Sequence, residues 1–216
     1  MKIGAIFIPS TNQLMKKDII YRNNAAEVKA IVAFSDIEII EHVNSAAEES
    51  PTVSTYIMVG GSEVGWLDYD SEIKDIPEVW TRPEGEYNTY NNDLMIIYFT
   101  SGTTSMPKMA MHDFTYPLGH IVTAKYWQRV QENGLHLTVA DSGWAKFAWG
   151  KLFGQWICGA VQFLYDMDRF DPCKLLEKIE KYQVKTFCAP PTIYRFMLQH
   201  DITKYDLSSL VHCSTA

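Results

Sequence analysis

LMIIYFTSGTTSMPK, residues 94–108, is the stretch on which the reading of this chain turns. Its first seven residues, LMIIYFT (94–100), form an apolar and aromatic run of buried-strand length. The turn that follows crowds together the hydroxyls of Thr100, Ser101, Thr103, Thr104 and Ser105, with Gly102, Pro107 and Lys108. Ordinary turns need one or two such residues, chosen for backbone geometry. A backbone turning sharply out of a strand can aim successive N–H groups into one concavity that holds an anion. Gly102 permits that turn, the five hydroxyls add donors, Pro107 stiffens the exit and Lys108 brings a mobile positive charge suited to polyphosphate. A helix is expected after the turn. On residue chemistry alone, a Ser/Thr-rich turn without a ligand remains the competing reading.

Outward from this turn the chain alternates short apolar runs with longer amphipathic segments. Strands are expected at IGAIFI (3–8), VKAIVAF (28–34) and TYIMVG (55–60), with a helix from Leu14 to Glu27. A second helix opens at Ser35 or Asp36, where Ser35 and Glu38 have capping-box spacing. Beyond the turn, a long helix is expected over 116–131, a strand at LHLTVA (135–140), a buried helix over 147–160 and a strand at VQFLYD (161–166). Asp171–Pro172 has the form of an N-cap and first-turn proline ahead of KLLEKIEKY. VKTFCAP, a helix from Pro191 and LVHCSTA complete the alternation. Strand–helix–strand repetition of this kind predicts an α/β fold, a mostly parallel layered sheet with flanking helices. It divides into a first α/β block over about 1–60, an acidic connecting excursion over about 61–93 and a second α/β block over about 94–216 that carries the turn.

Composition narrows the function. The 216 residues suffice for one large domain or two small ones, and 47% hydrophobic with 21% charged residues is ordinary for a folded protein. A net charge of −7 argues against nucleic acid or an anionic membrane as partner. No apolar run approaches the length of a membrane span, and a cytoplasmic protein is expected. Cys158, Cys173, Cys188 and Cys213 include no C-x-x-C pair, and all four are read as reduced and structural, with Cys173 in a first helical turn. The six histidines have no metal-ligand spacing, so no metal site is expected. Neither G-x-x-x-x-G-K-[ST] nor a kinase glycine-rich loop is present, which removes the ordinary P-loop NTPases.

IIYFTSGTTSMPK resembles the signature phosphate loop of the adenylate-forming enzymes, the superfamily of acyl-CoA synthetases, aryl-CoA ligases, luciferases and peptide-synthetase adenylation domains. Ser105 stands where glycine is usual. GAIFIPSTNQLMKKDIIYR, KMAMH, ADSGWAKFAWGKLFGQWICGA, FDP and APPTIYRFMLQHD resemble the medium-chain acyl-CoA synthetase branch, so the similarity extends over essentially the whole chain. The resemblance implies an ATP-dependent acid–thiol ligase that activates a carboxylate as its acyl adenylate and passes it to CoA, with Mg2+ accompanying ATP. It assigns Thr100, Ser101, Gly102, Thr103, Thr104, Ser105 and Lys108 to the β- and γ-phosphates and later to pyrophosphate. Trp144 would line the acyl pocket, an indole offering large rigid apolar area. Phe147 and Trp149 are read as core, His112 as a loop brace or a structural histidine, and the DMDRFD stretch (166–171) as a helix cap rather than a metal loop.

The resemblance also marks what this stretch lacks. No Tyr-Gly-x-Thr-Glu segment follows, nor a later ribose-binding aspartate, a hinge or a lysine-bearing C-terminal domain, so an internal piece of the large N-terminal domain is expected. Charge-assisted hydrogen bonds contribute roughly 1.5–3 kcal/mol each, while association costs on the order of 4–15 kcal/mol. Loop contacts alone are therefore expected to leave this piece catalytically inert. A non-catalytic phosphate-binding or assembly module is the alternative. Cut sheet edges favour a homo-oligomer.

Overall fold

The computed structural model describes residues 3–100, 106–167 and 169–215. The chain forms two compact units, one of residues 1–89 and 97–111, the other of residues 90–96 and 112–216.

In the first unit, α1 (Lys16–Ala25), β1 (Ala30–Phe34), α2 (Ile37–Ala46), β2 (Thr55–Val59), β3 (Leu67–Asp68) and the single turn α3 (Tyr69–Glu72) follow in order. The three strands pair in parallel in the order β1-β2-β3, with Ala30 opposite Thr55 and Ile57 opposite Leu67. Ile19, Val43 and Ala46 are buried, with Leu14, Ile31, Ile39, Tyr56 and Trp66 packed against them. The α2 helix starts because the Asp36 carboxylate accepts from the N–H groups of Glu38 and Ile39, at 2.9 and 3.3 Å. Ser35, the alternative cap, instead donates to the Gly60 carbonyl at 2.7 Å. Along β1 exposure alternates: Ile31 joins the core while Val32 and Phe34 stand 62% and 70% exposed. The strand expected over 28–34 is thus present as β1, with one of its faces covered.

Expected strand 3–8 shrinks to one bridge, in which the Phe7 carbonyl accepts from the Ile97 N–H at 3.0 Å. Gly4 sits at φ +75°, which breaks the extended run, and Pro9 brings no N–H to continue a ladder.

β4 (Leu94–Thr100) pairs with β5 (Lys108–Asp113) in a separate two-stranded sheet. Met95, Ile96, Ile97 and Tyr98 are all buried, as the apolar run predicts. The helix expected over 116–131 does begin at Tyr116, but it gives way to a π-helical turn after Val122. KMAMHD is strand β5, because pairing with β4 overrides the weak strand preference of Met and Ala.

The second unit continues through α4 (Tyr116–Val122), a π-helical turn over Thr123–Trp127, β6 (Leu135–Thr138), α5 (Ala145–Phe147), a second π-helical turn over Ala148–Leu152 and α6 (Phe153–Ile157). It closes with β7 (Val161–Gln162), α7 (Pro172–Tyr182), β8 (Thr186–Ala189), α8 (Pro191–Met197) and β9 (His212–Thr215). Its four strands run parallel in the order β7-β6-β8-β9. Asp171 caps α7 by accepting from the N–H groups of Cys173 and Lys174, and Pro172 occupies the first turn as expected. Leu175, Leu176 and Ile179 of α7 then bury against Leu137, Phe187, Ala189 and Met197. Each such side chain contributes about 1.5–3 kcal/mol relative to exposure. The odd members of β6 and β8, Leu137, Phe187 and Ala189, face this apolar core. Their neighbours His136, Thr138 and Thr186 are also buried, in a polar network described below.

Candidate functional site

Of the seven loop positions singled out by sequence, Ser101, Gly102, Thr103, Thr104 and Ser105 lie outside the described residues. Thr100 and Lys108 are described, and they meet. The Thr100 hydroxyl donates to the Lys108 carbonyl at 3.3 Å, closing the neck of the turn where β4 ends and β5 begins. Helix α1 reaches the same neck: the Tyr21 hydroxyl donates to the Pro107 carbonyl at 2.7 Å. The Tyr21 ring meets Phe99 edge-on at 6.1 Å, and the Arg22 guanidinium lies 4.9 Å above the Phe99 ring. Burial holds the Arg22 guanidinium below its ordinary range, with Asp18 opposing that shift.

In the second unit, His112, Tyr116, His120 and Trp149 form a chain of ring contacts, stacked at both ends and edge-on in the middle. His112 lies flat on Tyr116 at 4.0 Å, Tyr116 meets His120 at 4.6 Å, and His120 lies roughly parallel to Trp149 at 5.7 Å. Burial lowers the His120 pKa, and repulsion from His112 adds to the fall. An open cleft of about 740 Å³ is lined by His120, Val122, Thr123, Tyr126, Trp127 and Trp149. Trp149, expected in the core, thus forms a cleft wall. Trp144 stands 62% exposed ahead of α5 and is not among the lining residues.

Behind these rings lies a buried polar network that sequence reading missed. His136, fully buried, bonds the Thr186 hydroxyl through Nδ1 at 2.8 Å and the Thr138 hydroxyl through Nε2 at 2.8 Å. The Gly150 carbonyl accepts from the Gln128 amide and the Thr138 hydroxyl, both at 2.7 Å, with His136 Nε2 at 3.3 Å. Gln155 donates to Gln128 and to the Trp149 carbonyl. Burial pushes the His136 pKa down to about 4, with a smaller push from Lys151. Lys151, 3% exposed, lies 5.3 Å from the Phe147 ring centroid, and burial lowers its pKa to about 8. Lys146 is also lowered by burial, with Cys188 close enough to oppose it. The signal for this network was present: His136, Thr138 and Thr186 interrupt the apolar runs LHLTVA and VKTFCA at every second residue.

Among the described residues, no group of three or more His, Cys, Asp or Glu side chains is placed to hold a metal ion, and no step is assigned to one. No helix among them is long and apolar enough to cross a membrane.

An α/β architecture of parallel strands and flanking helices is the fold of the N-terminal domain of adenylate-forming enzymes. The chain belongs to the AMP-binding enzyme family, whose model matches residues 1–216. It is 37% identical over 217 residues to the human mitochondrial acyl-coenzyme A synthetase ACSM4 and 33% identical over 218 residues to human mitochondrial ACSM3. Both alignments take in 100% of this chain and 36% of the relative, so the chain spans little more than a third of their length. Among solved structures, the anthranilate CoA ligase AuaEII with anthranoyl-AMP matches 99% of this chain and 41% of that one, with TM-score 0.86 and 22% identity. The N-terminal domain of FACL13 from Mycobacterium tuberculosis matches 99% of this chain and 51% of that one, with TM-score 0.81 and 18% identity.

Proposed function

We propose that this chain forms the pyrophosphate-gripping part of an AMP-forming acyl-CoA synthetase. In that reaction a carboxylate oxygen attacks the α-phosphorus of ATP, the bond to the β-phosphate breaks, and pyrophosphate leaves. The CoA thiol then attacks the acyl carbonyl and AMP leaves. The observation that carries the reading is the closed neck between Thr100 and Lys108, at the two ends of a hydroxyl-rich turn, in a chain of this family. Ser101, Gly102, Thr103, Thr104 and Ser105 supply the remaining donors, and Lys108 neutralises charge on the leaving pyrophosphate. The acid is a medium-chain or similar carboxylate. Trp144 contacts its acyl part, and the aromatic cleft around Trp127 and Trp149 supports an apolar acyl group.

The chain alone is expected to bind pyrophosphate weakly and to catalyse no carboxylate-dependent ATP–pyrophosphate exchange, since near-attack alignment needs adenine, ribose and metal contacts as well. Titration of pyrophosphate, followed by 31P NMR, tests the grip. Lys108→Ala should abolish the response, and an unchanged response refutes the assignment. Exchange activity that Lys108→Ala removes would refute the inert-fragment reading and with it the binding-module alternative. For location the reading is cytoplasmic, supported by four free cysteines, although ACSM3 and ACSM4 are named as mitochondrial; cell fractionation decides. Self-association is supported by the exposed Val32 and Phe34 of edge strand β1, and a monomer by light scattering would refute it.

A further inference from the structure

Lys108 is held through its backbone on both sides. The carbonyl before it, on Pro107, accepts the Tyr21 hydroxyl at 2.7 Å, and its own carbonyl accepts the Thr100 hydroxyl at 3.3 Å. Two fixed peptide planes fix the direction in which the lysine side chain leaves the chain. Tyr21 lies 86 residues from Pro107 in sequence, so this is a tertiary contact and not part of the turn's own geometry.

Its base is firm. Helix α1 buries Ile19 and Asn23, and the Asn23 amide donates to the Ser50 hydroxyl at 3.1 Å. Asn24 donates to the Glu49 carbonyl at 2.8 Å, and Lys16 pairs with Glu49 at 2.9 Å. Tyr21 also grips the incoming strand, its ring edge against Phe99 while Arg22 covers that ring. One helix therefore contacts the residue before Thr100 and the residue before Lys108. We propose that Tyr21 is a positioning residue for Lys108: its hydroxyl fixes the Pro107–Lys108 peptide, so that the ammonium is presented to pyrophosphate without first paying an ordering cost. This rests on the pyrophosphate reading above.

Tyr21→Phe keeps the ring against Phe99 and removes only the hydroxyl. Asp36→Ala serves as the control, because it removes the α2 cap in the same unit and touches neither Phe99 nor Pro107. Two measurements are needed: hydrogen exchange over residues 106–111 without ligand, and pyrophosphate affinity by titration. Tyr21→Phe should speed exchange over 106–111 and weaken pyrophosphate by about two- to tenfold, the range one lost hydrogen bond supports. Asp36→Ala should change neither. Wild-type exchange in Tyr21→Phe overturns the proposal, as does wild-type affinity in a variant whose parent binds, or an equal effect from Asp36→Ala. If the parent chain binds no pyrophosphate, the functional reading fails, and exchange alone decides whether Tyr21 holds Lys108.

Discussion

Replacing His136 by Gln should flatten the acid dependence of the second unit's stability. The imidazole is fully buried between two threonine hydroxyls and the Gly150 carbonyl, and burial brings its pKa from 6.5 down to about 4. Because the folded value is the lower one, the unfolded chain binds the extra proton between these two pH values. Stability therefore falls as pH drops from 6.5 and stops falling below about 4. Each pH step inside that window costs about 1.4 kcal/mol, so descent from pH 7 to pH 5 removes about 2 kcal/mol. Asp68, Asp113 and Asp206, each held low chiefly by a hydroxyl neighbour, lose their contribution only at more acid pH and do not confound the comparison. His120 slopes in the same direction but is retained in the variant, so the difference between the two proteins isolates His136. Gln keeps a donor and an acceptor and cannot take the proton. The assay is the urea midpoint at pH 7 and pH 5, followed by hydrogen exchange of β6 and β8 amides so that the second unit is read separately. A wild-type chain that loses no more than His136→Gln over this interval would refute the reasoning.

Lys151→Met should stabilise the same unit by about 1–3 kcal/mol at pH 7, since it removes a buried cation with no acidic partner among the described residues. The folded lysine titrates near 8 and the unfolded one near 10.5, so wild-type stability rises with pH across that window and the advantage should disappear by its upper end in urea titrations. Gly154→Ala should cost about 3 kcal/mol or more, because a Cβ there would lie 2.0 Å from the His120 carbonyl oxygen, a backbone atom with little room to retreat. Wild-type stability of this variant in urea would mean that Gly154 does not lie against the His120 carbonyl.

The failures of sequence reading share one cause, and it also explains the site. Elements whose partners lie close in sequence, or whose signal is strong, were legible: β4 spans 94–100 as read, and Asp171–Pro172 opens α7. The 147–160 segment reads as one buried helix, yet it is broken by the π-helical turn at Ala148–Leu152. Its middle carbonyl, Gly150, accepts from Gln128, Thr138 and His136, residues of three different segments or strand positions. Such side-chain capture competes with the regular helical ladder, and nothing within 147–160 itself announces it. The same logic governs the phosphate turn. Its residue types were readable because hydroxyls, glycine and lysine declare their chemistry in the sequence. That strand β5 follows it, and that Tyr21 on a distant helix fixes the peptide preceding Lys108, are tertiary facts. Which residue contacts phosphate is written locally, whereas what holds that residue in place is distributed over the fold, and mutations at the supporting positions are where the two can be separated by experiment.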